Sequence, residues 1–313
     1  MKSKLKHFRI LSLLLAMCLM AGLLSGCQTK AEPENKSITI TDMTGREITL
    51  EEPATRVVAL SAADCEILYA VGAGDTLVGR GEYCDYPEEC LALPVVNSGA
   101  ETNIEQILAL QPDVVIMDTM GQTVDQVEAL QSAGVNVIVT REAGIAGVYE
   151  AIRLIAKAVG RDAEGEAVVQ GMKDTFAGLT RVGEGKTIYF EVSPLQWGLW
   201  TAGSGTFMDE IAGMLGLTNA FADLEGWAGI SEEQLLSRDP DYIVTTTMYY
   251  GEGPTPVEEI MGRDGWSGLK AIQAGRVFNA DSNAITRPGP RLADAAKALY
   301  QFILEHEAAE PAA

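Results

Sequence analysis

The sequence predicts an α/β protein built from two lobes that a single long helix joins. A twelve-residue stretch at residues 105–116 returns in altered form at residues 233–244, with five identical positions. Each copy has the pattern of a short helix, a Pro-Asp turn and a buried strand, so the copies indicate two similar lobes. Between them, apolar residues keep helical spacing over residues 147–182, without a proline. A cleft between two lobes is a common site for small molecules.

The N-terminus has the pattern of a targeting segment followed by a tether. A basic stretch precedes an apolar run over residues 10–24, which is short for a membrane span but typical of a signal peptide. Small residues then precede Cys27, a pattern that resembles the bacterial lipobox and implies lipidation of its sulfur. We therefore expect a lipoprotein signal peptide at residues 1–26, a flexible tether at 27–36 and an extracytoplasmic, lipid-anchored mature chain. Ordinary signal cleavage beside an unmodified cysteine is the alternative.

The first lobe, residues 37–146, is expected to open with a hairpin whose strands lie at residues 38–41 and 47–50. Buried-type strands and helices then alternate with short connections, which is typical of a parallel sheet. These elements are expected at residues 56–60, 62–71, 77–79, from about 104, 114–117, 124–133 and 135–139.

The connecting helix, residues 147–182, is expected to bend near residues 160–165, where glycines weaken the helical pattern. The second lobe, residues 183–313, repeats the alternation of strand and helix. Its elements are expected at residues 187–192, 206–214, 233–244, 276–279 and 290–307.

Charge and histidine content exclude several classes of function. Cleavage before Cys27 removes four of the 23 basic residues and no acidic one, which leaves 19 basic against 44 acidic side chains. A net charge of −25 is unsuited to nucleic acid and keeps a tethered domain away from anionic headgroups. The mature chain retains one histidine, His306, which argues against a Ser-His-Asp or Cys-His enzyme and against a histidine-rich zinc site. Composition therefore argues against nucleic-acid binding, against these two classes of enzyme and against a histidine-rich metal site.

The repeat unit carries one glutamate at the same place in each lobe. Asn103 and Ser231 are good N-caps for the two short helices, so Glu105 and Glu233 fall in the first helical turn. A carboxylate there interacts favourably with the helix dipole, by about 0.3–1 kcal/mol. The alternative is a pair of exposed carboxylates, one on each lobe, that meet arginines of a partner.

Aromatic residues concentrate in glycine- and proline-rich loops. Tyr83 and Tyr86 lie in the turn before Pro87, Trp197 and Trp200 follow the first strand of the second lobe, and Trp227 is flanked by glycines. Such side chains are suited to stacking on a flat apolar ligand. Local packing beneath the loops is the alternative.

Two arginines and three cysteines complete the candidates. Arg287 and Arg291, at the start of the last helix, could bind a carboxylate or phosphate; alternatively they remain solvated or pair with acidic residues of the surface. The mature chain, expected outside the cell, keeps three further cysteines, Cys65, Cys84 and Cys90. This odd number allows one disulfide with one free thiol, and the sequence leaves the pairing open.

Taken together, these motifs resemble the class III substrate-binding proteins of ABC importers, which carry corrinoids, haem and iron–siderophores. The resemblance covers residues 37–308 and depends on the order and spacing of short motifs. These are Leu60-Ser61, Tyr83-Cys84-Asp85-Tyr86-Pro87, Asn103-Ile104-Glu105, Gly226-Trp227, Ser231-Glu232-Glu233-Gln234 and Arg287-Pro288-Gly289-Pro290-Arg291. It implies two Rossmann-like α/β lobes, one rigid backbone helix and a ligand cleft between the lobes. It also implies a binding protein without enzymatic activity, cofactor or resident metal.

The resemblance also implies partners and residue roles. Glu105 and Glu233 would dock onto arginines of a permease dimer that is coupled to an ATPase. The 83–87 turn and Trp227 are similar to the vitamin B12-binding branch, in which the positions of Tyr83 and Trp227 contact the corrinoid. A tryptophan of that branch is absent here, where Ser98-Gly99-Ala100 stands. A corrinoid is therefore the expected ligand, with haem or an iron–siderophore complex as the alternative. A secreted α/β enzyme, or a sensor or adhesion lipoprotein of the same fold, would be a different class.

Overall fold

The computed structural model describes residues 37–309 of the chain, apart from residues 122 and 142. The predicted signal peptide, the tether and the lipidation site Cys27 lie outside the described residues. Within residues 37–309, no helix has both the length and the apolar character that a membrane span requires.

The first lobe has the predicted hairpin and a parallel sheet. Strands β1 (Ile38–Thr41) and β2 (Glu47–Leu50) pair antiparallel. Five parallel strands follow in the order β5-β4-β3-β6-β7. They are β3 (Val57–Ala59), β4 (Leu77–Gly81), β5 (Val95–Val96), β6 (Val114–Asp118) and β7 (Asn136–Thr140). The helices of this lobe are α1 (Ala62–Ala70), α2 (Ile104–Ala109) and α3 (Val124–Ser132).

The connecting segment is a pair of helices, where the sequence predicted one bent helix. Helix α4 (Ile145–Ala158) ends beside Gly160, whose φ is 68°, and α5 (Asp162–Ala177) begins directly after it. Arg153 of α4 pairs with Glu166 of α5, so the two helices run antiparallel, side by side. The break arises because glycine adopts the left-handed conformation that ends a helix. Helix α4 packs against α1 and β1, and α5 leads into the second lobe.

The second lobe is built on four parallel strands in the order β10-β8-β12-β13. They are β8 (Thr187–Glu191), β10 (Thr218–Asn219), β12 (Tyr242–Thr245) and β13 (Val277–Asn279). A small antiparallel pair, β9 (Trp200–Ala202) and β11 (Trp227–Gly229), stands beside them. The helices are α6 (Phe207–Met214), α7 (Glu232–Arg238), α8 (Pro256–Met261), α9 (Lys270–Gln273), α10 (Ser282–Thr286) and α11 (Leu292–Ala309).

Both sheets are covered on both faces, and they share one core. In β3, Val57 and Ala59 belong to a large hydrophobic cluster, while Val58 points into a separate cluster of the first lobe. In β12, Val244 joins the same large cluster, while Ile243 lies in a cluster of the second lobe. Alternate side chains of a strand point to opposite faces, so near-continuous apolar strands of this kind are typical of parallel sheets. The large cluster therefore connects the two lobes.

The two repeat units fold alike. Gln111 and Asp239, at equivalent positions, are the two non-glycine residues with positive φ in the described chain, at 49° and 47°. Each lies just beyond the short helix of its unit. The following aspartates also act alike, because Asp113 accepts a hydrogen bond from the Thr55 amide at 2.9 Å and Asp241 accepts one from the Thr187 amide at 2.8 Å. Each aspartate thereby ties its strand to the neighbouring parallel strand.

Candidate functional site

The candidate ligand site lies where the parallel strands of both lobes end. Open α/β sheets bind ligands outside the carboxyl ends of their strands. A cavity of about 310 Å³ is lined by residues from both lobes at this edge. From the first lobe come Thr119, Met120, Arg141 and Ala143, and from the second lobe come Ser204, Gly205, Thr206, Glu225, Gly226 and Trp227.

The turn after β4 presents the two predicted tyrosines. Tyr83 is 74% exposed and Tyr86 is also exposed, although both are large and partly apolar. The main chain beneath them is fixed, because the Arg80 guanidinium donates to the Cys84 carbonyl at 2.9 Å and the Cys84 thiol donates to the Ser61 carbonyl at 3.2 Å. An ordered turn therefore carries exposed aromatic rings, as a stacking site requires.

Of the predicted tryptophans of the second lobe, Trp197 lies in the turn before β9, whereas Trp200 and Trp227 are the first residues of β9 and β11, where the sequence predicted loops. Trp197 is 77% exposed and Trp200 is exposed opposite Gly229 on the paired strand. Trp227 is half-buried, packs edge-on against Phe207 with ring centroids 5.5 Å apart, and lines the cavity between the lobes. The geometry thus brings Trp227 into contact with the cavity, whereas Trp197 and Trp200 project into solvent.

Arg287 and Arg291 have protein partners. Arg291 makes two hydrogen bonds to the buried Glu66 carboxylate, at 2.7 and 2.6 Å. Arg287 donates to Glu66 at 2.9 Å and to Asp85 at 2.6 Å. The sequence offered ligand binding, solvation or pairing with surface acids, but it did not identify the buried Glu66 as the partner, because Glu66 lies more than 200 positions away in the chain. A direct role of either arginine in ligand binding stays a prediction.

Several exposed residues at the same strand ends were missed from the sequence. They are Met120 after β6, Arg141 after β7, and Met248, Tyr249 and Tyr250 after β12. Tyr250 is 84% exposed, and a second cavity of about 310 Å³ lies between this last loop and Leu195. The sequence did contain a signal for an exposed loop, a Tyr-Tyr-Gly sequence shortly after a buried strand. The apolar character of this segment, however, resembles that of a buried core segment.

Glu105 and Glu233 lie at the ends of equivalent, capped helices. The Asn103 side chain accepts from the Gln106 amide at 3.0 Å, and the Ser231 hydroxyl accepts from the Gln234 amide at 3.2 Å. Both glutamates are exposed and neither has a hydrogen-bonding or ionic partner within the described residues. The neighbouring Glu232 differs, because it accepts a 2.8 Å hydrogen bond from the Trp266 ring nitrogen. Each lobe therefore presents one carboxylate in a matched, fixed setting.

The three cysteines of the first lobe are free and buried. Hydrogen bonding with Cys84 and burial both raise the pKa of the Cys65 thiol. In the part of the chain that the structure describes, no cluster of histidine, cysteine or carboxylate side chains could hold a metal ion. His306 lies on α11 with its Nδ1 atom 2.8 Å from the Phe302 carbonyl oxygen, away from the strand ends.

Comparisons with known proteins agree with this architecture. A family model described as periplasmic binding protein matches residues 57–284. An uncharacterized ABC transporter substrate-binding lipoprotein of Bacillus subtilis is 30% identical over 306 residues, which cover 92% of this chain and 95% of that one. A vitamin B12-binding protein of Salmonella paratyphi A is 30% identical over 252 residues, with coverage of 79% and 89%. A periplasmic heme-binding protein from Roseiflexus sp. RS-1, solved in its apo form, has a TM-score of 0.72 at 23% identity, with coverage of 81% and 99%.

Proposed function

The chain belongs to the periplasmic binding protein family as the extracytoplasmic substrate-binding component of an ABC importer, and we propose that its ligand is a corrinoid of the vitamin B12 type. Members of this family bind solutes and deliver them to a permease without chemical change. The finer assignment rests on one observation, the exposed aromatic and thioether side chains at the strand ends of both lobes. A large, flat ligand would cover these side chains on its two sides.

Charge favours a corrinoid over the other ligands of the family. Side groups around a corrin ring are mostly uncharged amides, whereas haem carries two carboxylates and many ferric siderophores are anionic. The mature chain expected after cleavage has a net charge of −25, and Arg287 and Arg291 are already paired with carboxylates. Arg141 is the basic residue that lines the cavity between the lobes, together with the acidic Glu225. An anionic ligand would therefore meet little compensating positive charge in the cavity, whereas a neutral ligand needs none.

Tryptophan fluorescence tests the ligand. We expect cyanocobalamin to quench the emission of the full chain with a dissociation constant below about 1 μM, a binding free energy of about −8 kcal/mol. Trp227→Ala should weaken binding by about tenfold or more, because it removes an aromatic wall of the cavity. Trp266→Phe is the matched control, since Trp266 is buried in the second lobe. Tighter binding of hemin than of cyanocobalamin would overturn the corrinoid assignment and favour haem, for which Tyr83 could supply a phenolate. Tighter binding of ferrichrome would overturn it in favour of a siderophore.

Delivery would use the matched carboxylates of the two lobes. We propose that Glu105 and Glu233 contact basic residues on the two halves of a permease dimer, while a lipid on Cys27 holds the chain at the membrane. Two equivalent anionic points on one protein suit a partner with twofold symmetry.

Charge reversal tests docking separately from capture. Glu105→Arg with Glu233→Arg should abolish uptake in cells and leave cyanocobalamin affinity within about twofold, because neither side chain lines the two cavities described at the strand ends. Glu150→Arg with Glu305→Arg is the charge-matched control, since both glutamates are exposed on α4 and α11. Normal uptake by the first double variant would contradict the docking role.

A further inference from the structure

One arginine of the second lobe holds the aromatic turn of the first lobe. Arg287 follows α10, and its Nη1 atom donates to the Asp85 carboxylate at 2.6 Å while its Nη2 atom donates to the Tyr83 carbonyl at 3.2 Å. Asn283 of α10 adds a hydrogen bond to the other Asp85 oxygen at 3.3 Å. Both the main chain and a side chain of the 83–87 turn are therefore bonded across the lobes.

The arginine is itself held in place. Its Nη1 atom also donates to Glu66, a buried residue of α1 that accepts two further hydrogen bonds from Arg291. The Arg291 guanidinium stacks over the Tyr86 ring at 4.1 Å from the centroid, which adds a cation–π contact to the same turn. The second lobe therefore contacts the turn at three residues, Tyr83, Asp85 and Tyr86. The charge-assisted hydrogen bonds among these contacts have a well-defined geometry.

The turn covers buried thiols. Cys84, in the middle of the turn, is 1% exposed, and the Cys90 thiol donates to the Cys84 carbonyl at 3.3 Å. Any displacement of the turn would expose Cys84, so thiol reactivity reports the position of the turn without a ligand.

We propose that Arg287 is a positioning residue that sets the shape of the 83–87 turn and thereby the place where Tyr83 meets the ligand. The second lobe then determines the binding surface of the first, and a relative movement of the lobes displaces Tyr83. The consequence for affinity rests on the proposed function, in which Tyr83 contacts the ligand, whereas the consequence for the turn does not.

The first test uses thiol reactivity of the full chain. In Arg287→Gln, we expect the buried thiols beneath the turn, Cys84 among them, to react with the disulfide reagent DTNB about tenfold faster than in the unsubstituted protein, because the turn opens more often. Asp85→Asn should act in the same direction while leaving Arg287 paired with Glu66, and so it serves if the first variant folds poorly. Arg153→Gln, which breaks an exposed pair between α4 and α5, is the control. Unchanged thiol rates in both Arg287→Gln and Asp85→Asn would overturn the proposal.

The second test measures cyanocobalamin affinity in the same variants. Arg287→Gln and Asp85→Asn should each weaken binding by about tenfold, and their combination should weaken it little further, because both break one connection. Weaker binding with unchanged thiol rates would make Arg287 a direct ligand contact and overturn the positioning role. If the unsubstituted protein does not bind cyanocobalamin, the corrinoid assignment fails, and the thiol test still decides the role of Arg287.

Discussion

Asp42 shows how one buried carboxylate can organise a local structure. Its Oδ1 atom accepts from the Thr44 amide and hydroxyl and from the Arg46 amide, at 3.0, 2.8 and 3.0 Å. Its Oδ2 atom accepts from the Arg46 guanidinium and from the Val139 amide at 3.1 Å. Burial by itself would raise the pKa of Asp42, but these donors outweigh it and hold the pKa below its usual range. Asp42 thus ties the β1–β2 hairpin to β7.

The pKa of Asp42 predicts a pH dependence of stability. Because its pKa is lower in the folded state, the stabilisation is fully present above the unfolded pKa of about 4 and is lost as pH falls through the depressed value. Asp42→Ala should therefore reduce the free energy of unfolding by about 2–4 kcal/mol at pH 7 and by less at pH 3. Urea unfolding at both pH values measures this, with the exposed Asp75→Ala as control. An equal loss at both pH values would contradict the role of the charge.

Glycine at residue 203 is required by a close approach of two loops. A Cβ atom there would lie 2.2 Å from the Leu224 carbonyl oxygen and 3.0 Å from the Gly226 oxygen. Gly203→Ala should cost about 1–3 kcal/mol and displace the loop that leads to Trp227. Gly213→Ala is the control, because open space surrounds Gly213 within α6 and alanine favours helix by about 1 kcal/mol. Thermal unfolding distinguishes them, and destabilisation by both substitutions would argue against this explanation.

At the scale of elements, the repeat unit joins a helix to a strand in the same way in each lobe. The sequence predicted both units, since capping residues, the Pro-Asp turn and the apolar strand are local signals. The helix pair α4 and α5 was less predictable, because residues 147–182 keep helical spacing across the break. Gly165 allows the two helices to pack closely, since a Cβ atom at that position would lie 2.5 Å from the Ala156 Cβ atom.

The aspartates of the repeat unit should have similar energetic roles. Asp241 accepts from the Thr187 hydroxyl as well as its amide, both at 2.8 Å, and Asp113 accepts from the Thr55 hydroxyl at 3.1 Å. We expect Asp113→Ala and Asp241→Ala each to reduce stability by about 1–3 kcal/mol, because the threonine amide at or just before the neighbouring strand loses its charged partner. Chemical denaturation measures the loss, with the exposed Asp264→Ala as control. A loss confined to one variant would show that the units are not energetically equivalent.

At the scale of the whole molecule, the two lobes share a hydrophobic core. The large cluster contains residues of both sheets, of α4 and α5, and of α11. The membership of the family and the two-lobed α/β architecture, both predicted from the sequence, are confirmed. The roles of Tyr83, Trp197, Trp200 and Trp227 at the ligand stay predictions.

The shared core predicts that the lobes unfold together. We expect a single calorimetric transition whose van't Hoff and calorimetric enthalpies agree, because neither lobe keeps a complete core without the other. Differential scanning calorimetry of the full chain checks this. Two separate calorimetric transitions would mean that the lobes fold independently.

The sequence by itself determined the two lobes, the repeat units and the turns that carry Tyr83, Tyr86 and Trp197. These features depend on hydrophobic periodicity and turn residues, which are local properties of the chain. Only the tertiary structure decided that Arg287 and Arg291 pair with Glu66 and that the loop with Tyr249 and Tyr250 is exposed. An ion pair between residues more than 200 positions apart leaves no local pattern, since it exists only once the lobes are packed together.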